Sequence, residues 1–345
     1  MTYSIVTGAP GWLGTRIVHS LVHGVADCPA LGPTARTTRC LVLPDADASE
    51  LEALGAEIVR GDVTDPATLA KLFDGADGAT VFHSAGVVHP TKGMRQFRDV
   101  NATGTRNMLE AAKTARIRRF IHVSSNSPLG TNPSKEHVFD ESAPYHPYMR
   151  YGKTKMLGEQ AVRAVSEFEW VIIRPPWFYG PGQPPRQSVF FSMVRDGKAP
   201  IVGSGDNRRS MAYVDNICQG LVLCDRVPGA AGNIYWIADR TPYTMNDIVG
   251  TIEKVLETDF QIACKHKRMK LPGIASSVAY GVDGFLQSIG VYAQKIHVLS
   301  EMNKTIACTI EKAERELGYD PKVALEEGMR RSLAWVLERG PLPAS

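Results

Sequence analysis

The sequence predicts a doubly wound α/β fold, an open parallel sheet covered by helices on both faces, with a smaller C-terminal region added to it. Three observations carry this. Short runs of Val, Ile and other apolar residues alternate with amphipathic helical patterns through the first half, as strands buried on both faces require. A glycine-rich turn, Gly8 to Gly14, follows the first of these runs and opens the first helix. Past Arg174 the texture shifts to prolines, glycines and short elements.

The elements follow in order. Residues 3–7 read as a buried strand, and Leu13, Ile17, Val18, Leu21 and Val22 lie on one face of the helix after it. A Gly/Pro/Thr-rich loop covers 24–38, long for such a connection. The second strand is Arg39 to Leu43, a helix spans 49–54, and the third strand is 57–60. Strands four, five and six are 79–83, 120–124 and 170–174. Later helices are expected near 246–256, at 311–317 and at 325–338. Residues 1–174 are therefore expected to form the sheet domain. Residues 175–345 would be mainly a substrate-side region, with 213–224 returning to the sheet. No repeat with a period of 20–50 residues is present.

Composition excludes several classes. The 345 residues carry a net charge of only +3, so no concentrated basic surface points to nucleic acid as a partner. Six cysteines without a C-x-x-C pair suit a reduced compartment better than a disulfide scaffold. The N-terminus lacks the basic and apolar regions of a signal peptide. The apolar stretch 271–291 is broken by Pro272, Asp283 and Gln287, so a membrane span is not expected. A cytoplasmic protein is the resulting expectation.

Gly8, Gly11 and Gly14, together with Trp12 and Leu13, sit between a strand and a helix N-terminus. There, bare backbone and unpaired N–H groups suit a dinucleotide pyrophosphate. The end of the second strand should touch the adenosine ribose. It holds Leu43-Pro44-Asp45, with Arg36 and Arg39 nearby. Asp45 is the candidate, and the absence of an Arg after the strand favours NAD over NADP. Asp62 and Val63 follow the third strand, where a carboxylate either accepts from the adenine amino group or starts a turn. Ser84-Ala85-Gly86 ends the fourth strand with small residues that let a cofactor approach. Asn101 is either a cofactor contact or a satisfied core group.

Tyr151 and Lys155 lie four apart on a helix whose buried face is marked by Leu157, Ala161, Val162 and Val165. An ammonium beside a phenol is expected to lower the phenol's pKa and ready it for proton transfer. Ser124-Ser125 ends the fifth strand on the edge where open parallel sheets bind ligands. A hydroxyl there can hold a substrate oxygen beside the phenol.

With these pieces in place, the chain closely resembles the extended short-chain dehydrogenase/reductase family. The resemblance rests on Thr7 to Gly14, Gly61-Asp62, His83 to Gly86, Asn101 to Thr105, Val123-Ser124-Ser125, Tyr151 to Lys155, Arg174-Pro175-Pro176, Tyr213 to Asn216 and Glu316 to Pro321. It implies a Rossmann domain, bound NAD or NADP with Pro175 and Pro176 among the contacts, and a homodimer. It also implies a catalytic set of Ser125, Tyr151 and Lys155, with Ser124 second in line for the serine role. Tyr151 would move the proton, Lys155 would tune it and hold the nicotinamide ribose, and Ser125 would orient the substrate oxygen.

The segment 174–182 looks like the branch of 3β-hydroxysteroid dehydrogenases and dihydroflavonol reductases. It lacks the Asn with which nucleotide-sugar members usually touch a diphosphate. Asn126-Ser127 replaces the acid pair of sugar dehydratases. A hydrophobic secondary alcohol or ketone is therefore the expected substrate.

Two rivals remain. A nucleotide-sugar epimerase would need a diphosphate site, for which Arg186, Arg208 and Arg209 are available. A non-catalytic cofactor sensor would have lost Tyr151 or Lys155, and both are present. The basic run 265–270 before the apolar stretch to Leu299 reads as a turn before a pocket cover, with contact to a membrane surface as the alternative.

Overall fold

The computed structural model describes residues 2–344. In chain order the first half contains β1 (Tyr3–Thr7), α1 (Trp12–His23), β2 (Thr37–Val42), α2 (Ser49–Ala53), β3 (Glu57–Arg60), α3 (Pro66–Leu72), β4 (Thr80–His83) and α4 (Arg95–Arg98). A wider π-turn, Asp99–Gly104, leads into α5 (Thr105–Thr114), followed by β5 (Arg119–Val123), α6 (Met149–Arg163) and β6 (Glu169–Arg174). The second half adds β7 (Trp177–Tyr179), α7 (Pro185–Arg195), β8 (Pro200–Val202), β9 (Arg208–Arg209), β10 (Met211–Tyr213) and α8 (Val214–Arg226). It ends with β11 (Asn233–Trp236), β12 (Tyr243–Thr244), α9 (Met245–Thr258), β13 (Met269–Leu271), α10 (Ile274–Ser288), α11 (Gln294–Glu301), α12 (Glu311–Leu317) and α13 (Leu325–Leu337).

Among the described residues, seven strands form one parallel sheet in the order β11-β6-β5-β4-β1-β2-β3. Strand order reverses between β1 and β4, and a crevice opens at such a switch point, beyond the strands' carboxyl ends. Alternation along the strands separates the two cores. Val6, Phe82 and Ile121 face Ile17 and Leu21 of α1 and Ile217 and Leu221 of α8. Ile5, Val81 and Phe120 face Leu69 of α3, Met108 of α5 and Val162 of α6. A third cluster joins Phe191 of α7, Ile248 and Ile252 of α9, and Leu333 of α13.

Two expectations shift. The second strand starts at Thr37 and stops at Val42, because Thr37 pairs with Tyr3 at the start of β1. Leu43 is therefore outside the strand and exposed. The buried face of α6 is wider than the apolar one expected, of which Val162, Ala161 and Val165 pack on the core. It comprises Gly152, Thr154, Lys155, Gly158, Glu159 and Val162, while Leu157, Ala161 and Val165 are half-buried.

The reason lies in Glu159, which is 0% exposed. Its carboxylate accepts from Arg174 Nε at 3.0 Å and Nη2 at 2.7 Å, from the Ser124 hydroxyl at 2.5 Å and from the Tyr145 hydroxyl at 2.8 Å. The ends of β5 and β6 are thereby bolted to α6. Removing one partner of a buried pair strands the other's charge, which costs about 3–5 kcal/mol. Glu159→Ala is therefore expected to lose that much stability in urea denaturation. A loss below about 1 kcal/mol would show that the pair contributes little.

Candidate active site

The glycine turn begins with Gly8 at φ +89°, a conformation that favours glycine. A Cβ on Gly11 would stand 2.6 Å from the Gly8 carbonyl oxygen, so the turn closes only with glycine there. Gly11 is also the N-cap of α1 and supplies no side-chain cap, and the first turn of α1 holds no acid. The helix thus offers unpaired amides and a positive dipole end to the crevice, which fits a dinucleotide phosphate. Trp12 closes one side. Its indole N–H donates to the Pro181 carbonyl at 2.7 Å, and its ring packs 4.7 Å from Phe178.

The crevice widens into a cleft of about 750 Å³. It collects Gly8, Gly11, Trp12, Leu13, Gly14, Ser84 and Gly86 on one side, and Ser125, Tyr151, Lys155, Pro175 and Pro176 farther in. All twelve were singled out from sequence.

Five other expected cofactor contacts do not line it. Asp45 sits in an exposed turn beyond β2. Asp62 is a turn former, its Oδ1 accepting from the Thr64 amide at 2.8 Å and hydroxyl at 2.9 Å. Val63 is buried beneath the π-turn, against Gly104. The Ala85 amide donates to Thr7 Oγ1. Asn101 is a satisfied core group whose side chain clasps the Val87 backbone, donating to its carbonyl at 2.9 Å and accepting from its amide at 2.7 Å. Arg36 and Arg39 lie at the opposite, amino-terminal edge of the sheet. Arg36 bonds Ser4 and Thr80, and Arg39 bonds Glu57.

Both serines of the pair line the cleft, and the Ser124 hydroxyl donates to Glu159 at 2.5 Å. Ser125 lines the cleft with Tyr151, its hydroxyl 3.3 Å from Ser127 Oγ and accepting from the Ser127 amide at 3.3 Å. The expected tuning by lysine is not what the geometry gives. Burial pushes Tyr151 up to about 12, with Ser125 lowering it and Glu301 raising it further. Lys155 Nζ donates to the Val123 carbonyl at 2.8 Å, and burial brings its pKa down to about 8 against the opposing pull of Glu159. Desolvation is the largest influence on the phenol.

The pocket cover expected from the sequence forms the far wall, although its cleft-facing side chains were not singled out. α11 brings His297, Val298 and Glu301 over the cleft, followed by Met302, so the stretch to Leu299 does cover the pocket. α10, behind it, leaves Ile274, Val278, Phe285 and Ile289 exposed on its outer side. The preceding basic run is partly paired, with Arg268 on Glu253 and His266 on Glu257. No helix among the described residues is long and apolar enough to cross a membrane. Of the three arginines weighed for a diphosphate, Arg186 and Arg209 line the cleft. Arg208 is spent on the Lys135 and Glu136 carbonyls.

Fold and cleft together define a class, a Rossmann enzyme of the extended short-chain dehydrogenase/reductase superfamily acting on CH–OH groups. The NAD dependent epimerase/dehydratase family matches residues 4–238, and the chain belongs to that family. It is 48% identical over 340 residues to the uncharacterized protein y4nL of Sinorhizobium fredii (strain NBRC 101917 / NGR234), covering 97% of this chain and 95% of that one. It is 27% identical to 4-hydroxy-2-methyl-3-oxo-4-farnesyl-3,4-dihydroquinoline-1-oxide ketoreductase of Stigmatella aurantiaca, covering 94% of each. Among solved structures, DesIV, the dTDP-glucose 4,6-dehydratase of Streptomyces venezuelae with NAD and TYD bound, superposes with a TM-score of 0.73. It is 25% identical, and the match covers 98% of this chain and 97% of that one.

The cradle yields a direct test. Gly11→Val places a branched side chain against the Gly8 carbonyl and over the helix amides. NADH titrated into the folded variant is expected to bind at least tenfold more weakly than to wild type. Equal affinity would move the phosphate site elsewhere.

Proposed function

We propose that the protein reduces a ketone carried on a predominantly apolar molecule, using NAD(P)H, and catalyses the reverse oxidation of the secondary alcohol. The observation that carries this is the substrate half of the cleft. Trp177, Phe178, Phe190, Met193, Val298 and Ile306 wall it beside Tyr151. Such a surface gives little to a sugar and much to a hydrocarbon body. The ketoreductase relative, named for a farnesylated quinoline oxide, is in keeping with it. Six free cysteines are in keeping with a cytoplasmic setting.

When bound, the reduced cofactor supplies the hydride. The residues of this chain do the rest. The amides at the start of α1 hold the phosphates, and Pro175 and Pro176 wall the inner end. Ser125 hydrogen-bonds the substrate carbonyl oxygen. Tyr151, a phenol protonated at neutral pH and raised further by burial, gives that oxygen its proton. A protonated phenol is the form that ketone reduction needs. Lys155, fixed on the Val123 carbonyl, holds a positive charge at the base of the site.

A nucleotide-sugar substrate is the second reading, favoured by Arg209. That side chain lines the cleft at 8% exposure with its Nε unpartnered, and a phosphate would satisfy it. A panel of sterols, cyclic ketones and UDP-sugars, followed at 340 nm and by product chromatography, separates the two. Turnover of UDP-sugars alone would reverse the order.

On the accepted ketone, Tyr151→Phe is expected to lower kcat by about 10²–10⁴-fold with NADH affinity nearly intact. A wild-type rate in this variant would mean that the proton comes from another group.

A further inference from the structure

The cover over the cleft contains a polar device that ketone reduction by Ser125, Tyr151 and Lys155 does not use. His297 of α11 lines the cleft and is 8% exposed. Behind it, on α10, lies Asp283, 0% exposed, with Oδ2 2.7 Å from His297 Nδ1. Gln287 Nε2 donates to both Asp283 oxygens at 3.1 Å, so the carboxylate is an acceptor on every side. The proton between Asp283 and His297 therefore sits on Nδ1, and the imidazole addresses the cleft through Nε2.

The chain of bonds runs on. Gln287 Oε1 accepts from the Arg150 amide at 3.2 Å, one residue before Tyr151. One buried network thus sets both the imidazole on the cover and the start of the helix that carries the phenol. The other groups around the ring are Glu301, 3.9 Å from Nε2, and the Tyr148 and Tyr292 rings at 5.8 and 5.6 Å. The Tyr148 hydroxyl is paired with Ser300 and the Tyr292 hydroxyl with His89.

A wall that only had to shield an apolar ketone would be built more cheaply from Leu or Phe. Burying a carboxylate to orient one ring nitrogen is the arrangement used where that nitrogen must meet a ligand atom. We propose that His297 is a specificity-determining residue whose Nε2 accepts a hydrogen bond from a hydroxyl of the substrate. The preferred ketone then carries a hydroxyl on the carbon chain close to the reacting carbonyl. α- and β-hydroxyketones are members of that class. The inference rests on the reductase reading of the same cleft and sharpens its substrate.

The test uses two probes on the full-length protein with NADPH and NADH. One is a long-chain β-hydroxyketone, and the other is the plain ketone of matched chain length. Wild type is expected to favour the hydroxyketone in kcat/KM by about tenfold or more, since a site built to hydrogen-bond a hydroxyl discriminates against the analogue without it. His297→Asn keeps a donor for Asp283 but has nothing at the Nε2 position, and should bring the ratio of the two probes to near one. His297→Gln, whose amide reaches that position, should restore part of the ratio, which a merely structural role would not explain. Calorimetric Kd values for both probes are measured alongside. If wild type reduces neither probe, the reductase reading fails, and the Kd ratio still decides the role of His297. A wild-type ratio near one, or an unchanged ratio in His297→Asn, overturns the assignment.

Discussion

The site hangs on one buried carboxylate. Glu159 gathers partners from the end of β5, the end of β6 and the loop before α6, and so fixes the roll of α6 against the sheet. Lys155 lies one helical turn before it and Tyr151 two, so all three share a face that drifts by only about 40° per step. Once Glu159 is seated, Lys155 reaches the Val123 carbonyl and Tyr151 stands over Ser125. The arrangement tolerates polar burial because every oxygen of the carboxylate is answered, two of its bonds coming from one guanidinium. Ser124 and Ser125, adjacent in sequence, both border the cleft, and the Ser124 hydroxyl is also drawn into the bolt.

The sheet and its glycine turn were legible because their signals are local. Parallel strands buried on both faces must be continuous apolar runs, and Ile5-Val6, Val81-Phe82 and Val171-Ile172-Ile173 are such runs. Strand ends were less legible. Pairing with Tyr3 draws Thr37 into β2, a fact of the neighbouring strand and not of Thr37 itself. The buried face of α6 was read only in part for a related reason. Apolar periodicity marks Ala161, Val162 and Val165, packed on hydrocarbon, but not the glycines, Lys155 and Glu159 that are buried beside them.

The far wall of the cleft was legible only as a cover and through Arg209, not in its individual α11 side chains. Arg209, His297 and Glu301 reach Tyr151's cleft from 58, 146 and 150 residues along the chain, and none sits in a short motif. Asp283 and His297 are 14 apart, and only the α10–α11 hairpin brings them into contact. The phenol's acidity was unreadable for another reason. Spacing puts an ammonium within a turn of Tyr151, but burial decides the sign, and burial belongs to the folded cleft.

The tether between Trp12 and Pro181 carries a spectroscopic consequence. One indole stands at the phosphate turn and a second, Trp177, in the substrate wall. Reduced nicotinamide absorbs in the region where tryptophan emits, so excitation of these indoles is drained when it docks beside them. The protein thus holds intrinsic indole reporters whose emission falls as reduced nicotinamide arrives, without any label.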